Sequence, residues 1–303
     1  MKKIVSILMI LVLALSLMVG CGEKEKDYTL SIGVKLTENL AKSKLTETVA
    51  AIVTDADGKV VLCRLDSIDY TVKYEGGALV TTAPTSKVAL GASYSGMPAG
   101  TWEEQGKAFE NYVVGKTQSE IAATALEGGK VTDAELKASC SIDVTDILAA
   151  IDKAFKSEHK VSFKAATDLT AGLRANATVS DKTKDESKNA QLAVTYGAAV
   201  MADGKVVAAI LDTAEAQLTG ISADNIATAL SYKGTKREQG DSYDSYAPMA
   251  AGRWYEQADT YAKAATGLTA DNIATLATEG IAGCTINVTE YKAVIEAAVA
   301  AAK

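Results

Sequence analysis

The sequence predicts an α+β fold written twice: two homologous domains, each an antiparallel sheet with helices packed on one side. Three observations carry the prediction. Ala56-Asp57-Gly58-Lys59-Val60-Val61 returns as Ala202-Asp203-Gly204-Lys205-Val206-Val207, and Ala99-Gly100-Thr101-Trp102-Glu103-Glu104-Gln105 returns as Ala251-Gly252-Arg253-Trp254-Tyr255-Glu256-Gln257. Two-residue alternation marks the first half of each copy and helical periods the second, the order of an α+β unit. Each copy also closes with a matching short motif, Glu135–Ser141 in one and Glu279–Thr285 in the other. A repeat this long points to domains that each bury a core rather than to a solenoid of short units.

The chain begins with Lys2 and Lys3, then an apolar run from Ile4 to Val19, then Gly20-Cys21. A basic start, an apolar stretch too short for a membrane span and small residues before a cut describe a secretory signal. Cysteine directly after the small residue resembles a bacterial lipobox, with Met18 where Leu is usual. The competing reading is an ordinary signal peptide with an unrelated cysteine. The lipobox reading takes residues 1–20 as a removed leader, Cys21 as the diacylated new N-terminus and 21–27 as a charged tether. The protein is then expected on the extracytoplasmic face of the cell membrane, where two or more acyl chains hold durably.

Composition narrows the partners. The formal charge is −7, with Lys and Arg scattered singly, which argues against nucleic acid and against docking to anionic lipid. Beyond Cys21 stand Cys63, Cys140 and Cys284, an odd number that cannot complete a disulfide framework. Cys63 lies in a strand pattern with Ala209 as its counterpart, so it reads as a small buried hydrophobe. His159 is the only histidine, which excludes His-based triads and multi-histidine metal sites.

The copies divide at 28–157 and 158–303. Each opens with an extended segment, Tyr28–Val34 and Val161–Ala166. A hairpin follows in both, turning at Asp57-Gly58 and at Asp203-Gly204, because Gly accepts the positive φ that the turn requires. A helix then carries Trp102, Phe109, Tyr112 and Val113 on one face, matched by Trp254, Ala258, Tyr261 and Ala265. A short helix holds Ile121 or Ile273, and copy one has extra residues around Gly128-Gly129. The final helices show the stripes Ile147, Leu148, Ile151, Phe155 and Tyr291, Ile295, Ala298, Val299, with Thr145 and Thr289 as plausible hydroxyl caps.

An extended strand, an Asp-Gly hairpin and a small-residue motif leading into a terminal Ala/Val-rich helix resemble the FMN-binding domain. That family includes the extracytoplasmic flavin subunits of sodium-pumping NADH:quinone reductase and of Rnf complexes. Its hallmark is Asp-x-x-Ser-Gly-Ala-Thr, with FMN joined to the last hydroxyl by a flavin transferase. Here the stretches are Glu279-Gly280-Ile281-Ala282-Gly283-Cys284-Thr285 and Glu135-Leu136-Lys137-Ala138-Ser139-Cys140-Ser141. The resemblance implies FMN on Thr285 or Ser141, with Gly283, Cys284, Glu279, Cys140 and Glu135 around it and a redox partner. Copy two keeps more of the pattern, and a hydroxyl just before a helix would place a phosphate against free amides. The departures are Glu for Asp, Ala for the first Ser and Cys for Ala in both copies, with Ser139 and Ser141 for Gly and Thr in copy one.

Two function classes follow: a flavin-carrying electron-transfer lipoprotein, or a non-catalytic ligand-binding or surface-structural lipoprotein that kept the fold and lost the flavin. No nucleophile–base pair can be named, so an enzyme is the weaker expectation. Tyr94, Trp102, Tyr243 and Trp254 could line a groove, although helical spacing favours a core role for both tryptophans. Cys140 and Cys284 could meet across a pseudo-two-fold if the copies pack together.

Overall fold

The computed structural model describes residues 25–166, 168–184, 186–245 and 249–302. Cys21 and the 1–20 leader lie outside the described residues. The first half contains β1 (Lys26–Asn39), β2 (Lys44–Asp55), β3 (Val60–Thr71) and a small hairpin of β4 (Tyr74–Glu75) with β5 (Ala78–Leu79). Then come α1 (Lys87–Leu90), α2 (Trp102–Val113), α3 (Gln118–Ala122), a second hairpin of β6 (Leu126–Glu127) with β7 (Lys130–Val131), α4 (Ala134–Ser139) and α5 (Thr145–Lys156). The second half runs β8 (Val161–Ala165), β9 (Thr170–Asp181), β10 (Ala190–Ala202), β11 (Lys205–Thr219) and β12 (Ala229–Ser231). It ends with α6 (Lys236–Gln239), α7 (Asp241–Asp244), α8 (Trp254–Lys263) and α9 (Thr289–Ala301).

The fold is α+β, with two antiparallel sheets of four strands, ordered β3-β2-β1-β8 and β12-β11-β10-β9. The hairpins at their centres are built alike. Both carry a register shift near the turn, between Val53 and Thr54 and between Val200 and Met201. Asp203 and Gly204 turn with φ +49° and +72°, the mirror-image turn that matches strand twist. The first turn is one residue longer, and Asp55 Oδ1 accepts the amides of Asp57 (3.0 Å) and Lys59 (2.9 Å).

One strand joins the other half. Residues 161–166 were expected to open the second copy, yet β8 pairs antiparallel with Lys26–Leu30 of β1. The counterpart of β1 is β9, the strand that flanks β10 in the second sheet. Alternation marks a segment as a strand but not which edge it extends. Here the choice is accompanied by the rings of Tyr28 and Phe163, stacked with centroids 5.6 Å apart.

The two sheets lie face to face, with the helices on their outer faces, giving helix, sheet, sheet and helix in succession. Val49, Ala51 and Val53 of β2 enter a central core with Val194, Tyr196 and Ala198 of β10, while Ala50 and Ile52 point to α2 and α5. A matching outer core joins Ala199, Ala209 and Leu211 to Trp254, Tyr261 and Ile295. Strands buried on both faces explain the unbroken apolar run Val49-Ala50-Ala51-Ile52-Val53. The expectation that each copy buries its core alone needs correction, since the central core is shared. A helix can cover only one face of a sheet, and here the other sheet covers the second.

Glycine sets the distance between terminal helix and sheet. A Cβ on Gly33 would lie 2.3 Å from the Ala150 oxygen of α5, and one on Gly172 would lie 1.9 Å from the Ala298 oxygen of α9.

Candidate functional site

The motif hydroxyls are held in the same way in both halves. Ser141 donates its amide (2.7 Å) and its hydroxyl (2.9 Å) to Gln105 Oε1. Thr285 does the same with Gln257 Oε1, at 2.8 and 3.0 Å. Each glutamine is fully buried, and its Nε2 donates to the carbonyl of Gly100 or Gly252 at 2.8 Å. The amide group is therefore used on both sides, as burial requires. Thr285 is exposed and Ser141 half-buried, so these hydroxyls are clamped beneath but open to solvent to different degrees. Glu135 and Glu279 are exposed; the former lies in the first turn of α4, the latter in a loop. Gly283 has φ +81°, a backbone conformation that favours glycine.

The helix ends differ from expectation. Thr145 and Thr289 do not cap their helices with hydroxyls. Their amides donate to Asp143 Oδ1 (2.8 Å) and Asn287 Oδ1 (3.0 Å), and the N-cap positions are Val144 and Val288. Ser141 and Thr285 thus stand a full turn ahead of α5 and α9, and the first amide of each helix already has an acceptor. The predicted cradle of free helix amides is not formed around either hydroxyl. Asp143 and Asn287 accept the first helix amide because a short Asx side chain reaches the backbone N–H two residues downstream.

Cys63, Cys140 and Cys284 are all free thiols. Cys140 lies in the outer core of one sheet and Cys284 packs against that of the other, so the two sheets separate them. A disulfide between them needs Cα atoms within about 7 Å. Burial pushes both thiols upward from the usual range.

The four aromatic residues form a repeated lysine clasp. Lys87 Nζ lies 5.2 Å from the Tyr94 ring and 5.8 Å from Trp102; Lys236 Nζ lies 5.0 Å from Tyr243 and 5.6 Å from Trp254. Trp102 and Trp254 are buried in their outer cores, in agreement with the core reading. Cation–π contact of this kind fixes a lysine stem against the helix.

Concave space opens along the seam between the halves. One cleft, of about 510 Å³, lies among Arg64 on β3, Trp102, Lys107 and Glu110 on α2, Gly172 and Arg174 on β9 and Ala300 on α9. The other, of about 670 Å³, lies among Gly33 on β1, Lys153 and Lys156 on α5, His159, Asp212 on β11, Arg237 on α6 and Tyr255 on α8. They are pseudo-two-fold mates: each is bounded by the tryptophan helix of one half and the terminal helix of the other.

No family model, curated protein or solved structure matches the chain.

Each cleft is floored by a guanidinium held by main-chain carbonyls and an acid, and that of Arg64 ties the halves together. Arg64 donates Nε to the Ala171 carbonyl (2.8 Å) and Nη1 to the Cys63 carbonyl (2.7 Å), and lies 3.4 Å from Glu110. Arg237 donates to the carbonyls of Leu211 and His159 and pairs with Asp259. The two arginines occupy different positions in the repeat, yet both pair with an acid on a tryptophan helix. His159 stacks on Tyr255 with centroids 3.8 Å apart.

Buried carboxyls lie close to the clefts, Asp212 in the lining of the larger one. Asp66 accepts the amides of Ser67 (2.8 Å) and Val88 (3.1 Å); Asp212 accepts those of Thr213 (2.8 Å) and Arg237 (3.2 Å). Burial pushes each up to about 6. Glu47 accepts the Tyr196 hydroxyl across the seam, and burial pushes it up to about 7. Among the described residues no group of three or more His, Cys, Asp or Glu side chains is arranged to hold a metal ion.

Sequence reasoning passed over Arg64, Arg174 and Arg237. One signal was present: Arg64 interrupts the apolar run Val60-Val61-Leu62-Cys63, where a charge needs a buried partner.

Proposed function

We propose that this chain is a non-catalytic, extracytoplasmic binding protein, anchored to the membrane through a lipidated Cys21, whose small-molecule ligand lies in the seam between its halves. The observation that carries the reading is the pair of clefts at equivalent places, each floored by an arginine whose charge is already met. Clefts between packed units are a usual setting of small ligands; the smaller one adds an apolar wall that includes Leu65, Trp102 and Leu173, and the larger one is lined mainly by polar and charged side chains. The anchor rests on the leader sequence. Intact-mass analysis of membrane-extracted protein is expected to give a chain starting at a diacylated Cys21; an unmodified Cys21 sinks that part.

The ligand is tested by native mass spectrometry of protein purified from its own membranes. A non-covalent adduct is expected, and Ser242→Trp, placed at the wall of the larger cleft, is expected to remove or weaken it. An adduct indifferent to blocking either cleft overturns the seam reading.

A second reading is favoured by one observation: Thr285 is exposed. FMN could then be esterified to its hydroxyl by a flavin transferase, making the protein an electron carrier. Co-production with such a transferase decides between the two. An FMN-sized covalent adduct that vanishes in Thr285→Ala establishes the flavin reading, and a colourless protein of unmodified mass removes it.

A further inference from the structure

We infer that the smaller cleft selects a ligand with an apolar body and a single anionic head, a carboxylate or a phosphate, with Arg174 as the residue that meets the head. The inference rests on the seam being a ligand site. Its starting point is the charge balance of the lining. Six ionisable side chains border the cleft: Arg64, Lys107 and Arg174 against Glu103, Glu104 and Glu110.

Most of these charges are already spoken for. Glu110 accepts the Leu65 amide (2.9 Å) and pairs with both Arg64 (3.4 Å) and Lys107 (3.1 Å). Glu104 closes the capping box of α2, accepting the Thr101 amide at 2.8 Å. Glu103 lies on the exposed side of α2, in reach of Gly91. Arg174 is different. Among the described residues it makes no ion pair, and its one hydrogen bond runs from Nη1 to the carbonyl of its neighbour Leu173, at 2.8 Å. Asp66 feels its charge but is buried behind the strand and bonded to backbone amides. A half-buried guanidinium keeps further N–H groups in a planar fork suited to a carboxylate or phosphate.

The rest of the wall is apolar. Leu65, Val88, Trp102, Leu173, Ala300 and Ala301 face the same space. Gly106 on α2 keeps the wall thin beside the Trp102 ring, since a Cβ there would lie 3.4 Å from the indole. An apolar body against these side chains leaves the head at Arg174, with Lys107 near by. The larger cleft has a different polarity: Gly33 on β1 stands in it where β9 presents Arg174 to the smaller one, and its Lys153 is paired to Glu238 at 2.7 Å. The two mates are therefore not equivalent sites.

The test uses 2-naphthoate and its neutral isostere 2-naphthamide, each titrated into the protein by calorimetry, with amide chemical shifts of Gly106, Gly172 and Ala301 as the location readout. Naphthoate is expected to move those amides and to bind about tenfold or more tightly than naphthamide, the gain of a charge-assisted pair. Arg174→Gln is expected to erase the preference while keeping a single cooperative unfolding transition and the amide spectrum of the folded protein. If that variant fails to fold, Ala300→Trp, on the exposed face of α9 at the cleft mouth, is expected to block both compounds. Equal binding of acid and amide, with the cleft amides shifting, overturns the anionic head and leaves the seam site standing. Shifts confined to other parts of the protein, or none with either compound, overturn the site itself.

Discussion

Glu47 sits on β2 without solvent exposure, receives the Tyr196 hydroxyl from the facing sheet, and leaves its Oε1 without a partner. Burial makes its ionised form costly, and the charge of Asp212 adds to the cost. Glu47, Asp66 and Asp212 hold protons in the native state at pH values where the unfolded chain, ionising near about 4, has released them. From roughly pH 4 to 7 the native state therefore binds more protons than the unfolded, and stability falls as pH rises. The melting temperature is expected to climb by a few degrees from pH 8 to pH 5.5, and Glu47→Gln is expected to raise it at pH 8 and flatten the slope. A melting temperature that instead rises toward pH 8 refutes this. Below that window Asp69 works the other way, because Lys87 and Lys44 hold it low despite its burial. Tyr196→Phe leaves Glu47 without its donor and is expected to cost about 1–3 kcal/mol in urea titrations.

At the scale of elements, the docking of the terminal helices is the most sensitive contact. Gly172 lies under α9 at a distance that a methyl group cannot share with the Ala298 carbonyl. Gly172→Ala is expected to destabilise by about 1–3 kcal/mol or more, and Gly33→Ala under α5 by a similar amount. Gly58→Ala is the contrast: its φ of +73° is unfavourable for alanine, but nothing lies within 4 Å, so the cost is expected near ~1 kcal/mol. Equal losses at Gly58 and Gly172 would show that the close approach of α9 to Gly172 adds nothing to the cost. The glutamine clamps are a second contact between elements. Gln257→Leu strips the Thr285 amide of its acceptor and frees the Gly252 carbonyl, and about 1–3 kcal/mol is expected to go with it.

For the whole molecule, the central core settles how the halves depend on each other. Leu30, Val34, Val49 and Ala51 pack in one cluster with Leu173, Val194, Tyr196 and Ile210. Backbone and side-chain bonds cross the same boundary: Arg64 to Ala171, Tyr74 to Asn225 and Asn189, and Ala227 to Leu40. Residues 25–166 produced alone would expose one face of a sheet, an aggregation-prone surface. Each half by itself is expected to aggregate or to melt without cooperativity, and co-production of 25–166 with 168–303 is expected to restore one cooperative transition. Two separate, reversible transitions in the intact chain would contradict a shared core.

The sequence by itself determined the doubling, the α+β class, the Asp-Gly hairpins and the tryptophan helices, because each is written in local spacing: alternation for strands, helical periods for helices, positive φ for glycine. It also marked Ser141 and Thr285, whose clamps by Gln105 and Gln257 repeat as faithfully as the motifs do. What only the tertiary structure decided was how faces and edges meet. That β8 extends the first sheet, that the sheets pack on each other, that Cys140 and Cys284 lie in opposite outer layers and that Arg64, Arg174 and Arg237 line clefts all depend on contacts between residues far apart in the chain. Periodicity tells a strand which residues share a face, but the partner of that face is chosen by the burial of the whole molecule, and that choice leaves no local mark.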